Sequence, residues 1–261
     1  MSTTALPNDI DGVIERLEKI IKDCIARQDR LGYFAALYNR VTRAVKEGIA
    51  RGEFDDGARM ERLDVTFANR YLDALGAWRA GRPTSACWVR AFEAASRWPP
   101  CILQHLLLGM NAHINLDLGV AAAETAPGRD IHALEGDFAE INRLLAAMID
   151  DVQHRIAAVS PWMWVLDRAG QRTDEELCGF CIERARDVAW RSAVGLAPLG
   201  ATARAAEIRR VDAIVAALAR PIERPGPLAR SALLGARLRE TSDVGRVLDA
   251  LAAPAPLRPA A

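Results

Sequence analysis

LQHLLLGMNAHINLDLGVAAAE, residues 103–124, is apolar on nearly every side when wound as an α-helix. A helix of that kind belongs at the centre of a fold, with other helices around it. Yet it carries Gln104, His105, Asn111, His113, Asn115 and Asp117. Polar groups in such a place cost free energy unless each finds a partner, and a lone charge costs far more. A metal ion, a bound substrate or a closed hydrogen-bond network would each satisfy them.

Working outward, almost every other segment also reads as helix, with few period-two runs and no hairpin signal. Helices are expected from Asn8 or Asp9 to about Ala26, from Leu31 to Ala50, from Arg59 to Trp78, and from Ser85 to Arg97. The turns between them hold Gly52 and Gly57, then Gly81 and Pro83, then Pro99 and Pro100. Beyond the central helix, long helices are expected over 130–159, from a Thr173/Glu176 capping box to Leu196, and from Thr202 to Ala219. The fold class is therefore all-α: a single multi-helix domain over residues 8–220 with a buried central helix. Residues 221–261, rich in proline and small residues, read as a weakly packed tail with short helices.

The 261-residue chain is long enough for a sizeable core. Hydrophobic residues make up 51% and charged residues 26%, the balance of an ordinary globular protein. Basic and acidic residues number 34 each, so no net charge marks a nucleic-acid or membrane-surface partner. No uninterrupted apolar run reaches the roughly 18 residues of a membrane span. The beginning, MSTTALPNDIDG, lacks the basic and apolar regions of a secretory signal. Five scattered cysteines fit a reducing cytoplasm better than a disulfide framework. The Cys178/Cys181 pair has no strand before it and reads as core packing.

On a wheel of about 100° per residue, His113 and Asp117 share one face of the central helix, with His105 two turns back. That spacing suits two ligands of one metal ion, or a carboxylate orienting an imidazole. Gln104, Asn111 and Asn115 fall in a separate arc. In the helix after Arg59, Asp64 stands in the middle of an apolar face, and Glu61 lies on that face too. A carboxyl there is driven toward protonation unless a cation compensates it. Asp137 and Asn142 lie on or beside the inward face of the next long helix, and Arg186 lies among Ile182, Ala189 and Trp190. A buried guanidinium needs an anion, either Asp137 or a substrate carboxylate or phosphate, and the internal pair is the commoner solution.

The segments LGYFAALYNRVTRAVKEGI (31–49), MERLDVTFANRYLDAL (60–75), LQHLLLGMNAHINLDLG (103–119) and ERARDVAW (183–190) resemble an uncharacterised bacterial family, domain of unknown function 5995. The resemblance spans most of residues 8 to 220. It implies a stand-alone helical protein and brings no activity with it.

Three readings follow. In the first, the protein is a metal-dependent enzyme, hydrolytic or oxidative, acting on a small, partly apolar molecule. His105, His113 and Asp117 then hold a divalent zinc or iron ion, and Asp64 and Glu61 supply a further ligand and a general base. Gln104, Asn111, Asn115, Asp137, Asn142 and Arg186 bind the substrate. In the second, a metal-free protein uses that polar row to bind a small molecule in a cavity between helices. In the third, a structural or interaction protein uses the buried network only to fix helix packing. Nothing in the pattern speaks to oligomeric state.

Overall fold

Asp9 starts the first helix: its carboxylate accepts from the Gly12 N–H at 2.7 Å, and α1 runs Ile10–Arg27. The computed structural model describes residues 5–141, 143, 144, 155, 159, 160 and 182–252. Among these there is no strand. After α1 come α2 (Gly32–Ala50), α3 (Gly57–Arg79) and α4 (Ala86–Ser96). Asp56 caps α3, accepting from the Arg59 N–H at 2.9 Å.

The expected central helix is one continuous rod in three parts: α5 (Ile102–Ala112), a π-helical segment (His113–Leu118) and α6 (Gly119–Thr125). By length and composition alone the rod is apolar enough to cross a membrane, but 89% of its most apolar window is buried inside the fold. It is a core helix. Two glycines let its neighbours approach. A Cβ on Gly109 would lie 2.4 Å from Cδ2 of Phe34 on α2, and one on Gly119 would lie 2.8 Å from the carbonyl oxygen of Ala189.

The helix expected from residue 130 begins differently. Gly128–Leu134 is a 3-10 stretch, and regular helix begins only at Glu135. The Thr173/Glu176 capping box, the Cys178/Cys181 pair and Asn142 lie outside the described residues. The chain then gives α7 (Ile182–Leu196) and α8 (Ala201–Glu223). α8 continues through Pro221, where the missing N–H leaves one helical carbonyl without its donor. Around the rod, α2, α4 and α8 pack on α5, while α3 and α7 cover the π-helical segment and α6.

Beyond Pro221 the described chain continues to residue 252. It forms α9 (Pro227–Arg237) and α10 (Val244–Ala252). Ala229, Leu233, Val247, Leu248 and Leu251 are at most 2% exposed, and α10 lies against α1 and α2. Buried polar contacts tie this region down: Glu240 accepts from the Ile102 N–H at 3.1 Å and from Ser160 Oγ at 2.9 Å.

Candidate functional site

The central rod winds as a π-helix where its polar residues are densest, and π turns recur at functional positions in proteins. This winding sets His113 over Asp117, with Nδ1 3.1 Å from Asp117 Oδ2. The carboxylate offers only acceptors, so the imidazole Nδ1 carries the proton and donates. Asp117 also accepts from Trp88 Nε1 on α4 at 2.8 Å and from Arg70 Nε on α3 at 3.1 Å. Three donors from three elements therefore converge on one buried carboxylate.

His113 is enclosed by rings. Phe67 stacks on it with centroids 3.6 Å apart and planes 8° apart, and Tyr38 meets it edge-on at 4.5 Å. Burial lowers its pKa, while the hydrogen bond that it donates to Asp117 acts in the opposite direction. The neutral ring leaves Nε2 as a lone pair without a partner among the described residues.

His105 does not join this centre. Its ring lies edge-on to Tyr33 at 5.6 Å, beside a crevice of about 20 Å³, room for roughly one water. Burial, reinforced by Arg30 and Arg237, pushes its pKa down to about 3. Asp64 is buried as expected, but no histidine or cation compensates it among the described residues. Burial first, and then the nearby Glu61, push its carboxyl up to about 7, and its Oδ2 has no hydrogen-bond partner among the described residues. Glu61 turns the other way and accepts from the Ile10 N–H at 3.3 Å, at the start of α1.

Among the described residues, no group of three or more His, Cys, Asp or Glu side chains is arranged to hold a metal ion. This overturns the expectation of a metal-dependent enzyme. The reason is geometric: His105 and Glu61 face other elements, and both oxygens of Asp117 are already taken by Arg70, Trp88 and His113.

The expected ligand-binding residues also divide. Asn111 donates to the Val215 carbonyl at 3.0 Å, and Asn115 donates to Asn111 Oδ1 at 3.0 Å, so this pair fastens the rod to α8. Asp137 is fully buried, accepting from the Asp55 N–H at 2.6 Å and from Arg59 at 2.7 Å. Its partner is thus Arg59, not Arg186. Arg186 instead donates to the Phe138 carbonyl at 2.9 Å and lies 4.6 Å over the Phe138 ring. Burial alone pushes its pKa down to about 9.

Gln104 leads to a second place. It accepts from the Cys101 N–H at 3.1 Å and donates to the Ile222 carbonyl, at the end of α8, at 2.6 Å. It also lines a cleft of about 430 Å³ between the α4–α5 loop, the end of α8 and α9. Pro99, Pro100, Pro225, Leu233 and Leu234 supply the apolar lining. Arg97, Arg224 and Arg230 line it with Glu223. Glu223 is held by Arg90 at 2.8 Å and Arg97 at 3.4 Å. The walls are fixed from behind: Arg30 donates to the Arg97 carbonyl at 2.7 Å, and Arg237 donates to the Trp98 carbonyl at 3.0 Å. Sequence reasoning missed all of these lining residues except Gln104. The available signal was RPIERPGPLAR (220–230), where arginine alternates with proline at the end of a helix.

Residues 10–225 match the model of a family described as a family of unknown function (DUF5995). No curated protein and no solved structure matches the chain.

Proposed function

The chain belongs to the family of unknown function DUF5995, and from its geometry we propose that it is a metal-free protein that binds a small molecule in the cleft beneath α9. The observation that carries this reading is the cleft itself. Its volume of about 430 Å³ lies within the range of small-molecule sites, roughly 300–1,000 Å³. Apolar walls with a few placed polar groups are the usual make-up of such sites. Its walls are also held before any ligand arrives. Gln104 clamps the end of α8, while Arg30 and Arg237 clamp the α4–α5 loop. A preformed site loses little ordering entropy on binding.

The buried centre then has a different task. Asp117, His113, Trp88 and Arg70 join three helices through one carboxylate, and Asn111 and Asn115 hold a fourth. That network specifies how the helices pack around the rod. It leaves no oxygen of Asp117 without a donor.

A fragment screen by ligand-observed NMR tests the reading, with Leu234→Trp as the variant that fills the cleft. Fragments are expected to bind the natural protein and to lose binding in the variant at unchanged melting temperature. Fragments that bind both proteins equally, or none binding at all, would overturn it.

A further inference from the structure

Resting on that reading, we infer that the cleft selects a small molecule with an anionic head, a phosphate monoester or carboxylate, joined to a short apolar body. The charges that line the cleft do not cancel. Arg97, Arg224 and Arg230 bring three positive charges to the lining, and Glu223 brings one negative charge. Glu223 is already matched twice, by Arg90 from outside the cleft and by Arg97 within it. Arg224 and Arg230 have no side-chain hydrogen bond or ion pair among the described residues, so their charges remain for a ligand. Arg224 and Arg230 are exposed residues that line the same cleft, and guanidinium groups suit the planar, bidentate recognition of carboxylate and phosphate oxygens.

The apolar part of the ligand follows from the remaining lining. Pro99 and Leu234 offer surface to a hydrocarbon or aromatic body and no polar partner from their side chains. Because the arginines come from both sides of the Pro225–Pro227 turn, the head group is placed at the junction of α8 and α9. A cleft of this volume takes a ligand of metabolite size rather than a polymer segment.

The test titrates three probes of matched body into the full-length protein: phenyl phosphate, benzoate and benzyl alcohol. Phenyl phosphate, benzoate or both are expected to bind at least about tenfold tighter than benzyl alcohol, with the advantage shrinking as salt is raised. In Arg224→Gln/Arg230→Gln the anionic advantage disappears and benzyl alcohol binding is unchanged. Arg209→Gln, on the exposed face of α8, serves as the charge control and binds all three probes as the natural protein does. Tighter binding of only one anion identifies the head group as phosphate or carboxylate. If benzyl alcohol binds as well as both anions, the charge inference fails while the cleft reading stands. If none of the three binds, both fail.

Discussion

The indole N–H of Trp88 donates to Asp117 Oδ2 at 2.8 Å, so a residue on α4 completes a carboxylate site built on the π-helical segment. The same oxygen receives His113, and the other receives Arg70. A carboxylate with this many donors, buried to 2% exposure, is a structural hub.

Removing the hub leaves a guanidinium, an indole N–H and an imidazole N–H without their acceptor. Asp117→Ala is expected to cost about 3–5 kcal/mol of folding stability, the range for breaking a buried pair from one side. Asp117→Asn keeps one oxygen for Trp88 and is expected to cost less. Urea unfolding of both variants checks the order, and natural-like stability in Asp117→Ala would remove the network from the account.

Asp64 gives a pH dependence whose sign is fixed by its environment. Its folded-state pKa of about 7 lies above the ordinary carboxylate value of 3.8, so the native state holds the proton more tightly than the unfolded chain. Its contribution is present in full below about pH 4 and is lost as pH rises through about 7. Asp64→Asn, which mimics the protonated group, should therefore gain on the natural protein as pH rises from 5 to 8, by a few kcal/mol in all. Denaturant midpoints at pH 5, 6.5 and 8 measure this. A stability difference that does not change with pH contradicts it.

Asp137 and Arg186, expected to pair, make separate predictions. Asp137→Ala strands Arg59 and the Asp55 N–H and should destabilise by about 3 kcal/mol or more. Arg186→Met gives up one hydrogen bond and one ring contact but also removes a buried charge that has no carboxylate among the described residues. Its effect should stay within about 1.5 kcal/mol. Equal losses in the two variants would show that Arg186 is compensated as fully as Asp137.

Gly119 and Gly76 should respond oppositely to alanine. At Gly119 the new methyl meets the Ala189 backbone oxygen at 2.8 Å, and backbone does not yield cheaply, so a loss of about 1–3 kcal/mol is expected. At Gly76 nothing lies within 4 Å, and the better helix propensity of alanine should add up to about 1 kcal/mol. Thermal unfolding of the two variants reads both signs.

The helices were legible because a single pattern, apolar residues at helical spacing between Gly, Pro and capping residues, marks each one. Asp9, Gly81 and the Pro99–Pro100 break stand where that pattern places them. The rod's burial was legible for the same reason. Its π winding was not, because no residue type signals it locally. Asp137 was correctly read as inward, yet its cation, Arg59, lies 78 residues away on another helix, a distance that a helical wheel does not span. His105 and His113 lie on one rod but face different neighbours, Tyr33 on one side and Phe67 on the other. The cleft was hidden for a different reason. Its arginines and prolines come from turns and a tail whose composition looks solvated, and only the packing of α9 onto the α4–α5 loop closes them into a concavity.

The most direct measurement is a chemical-shift map of the protein titrated with phenyl phosphate, reading backbone amides together with arginine Nε and glutamine side-chain signals. Binding in the cleft predicts perturbations at Arg97, Gln104, Arg224, Arg230 and Leu234, with His113, Asn115 and Asp117 unmoved. Perturbations centred on His113 and Asp117, with the cleft arginines silent, would contradict the account and return the function to the buried centre.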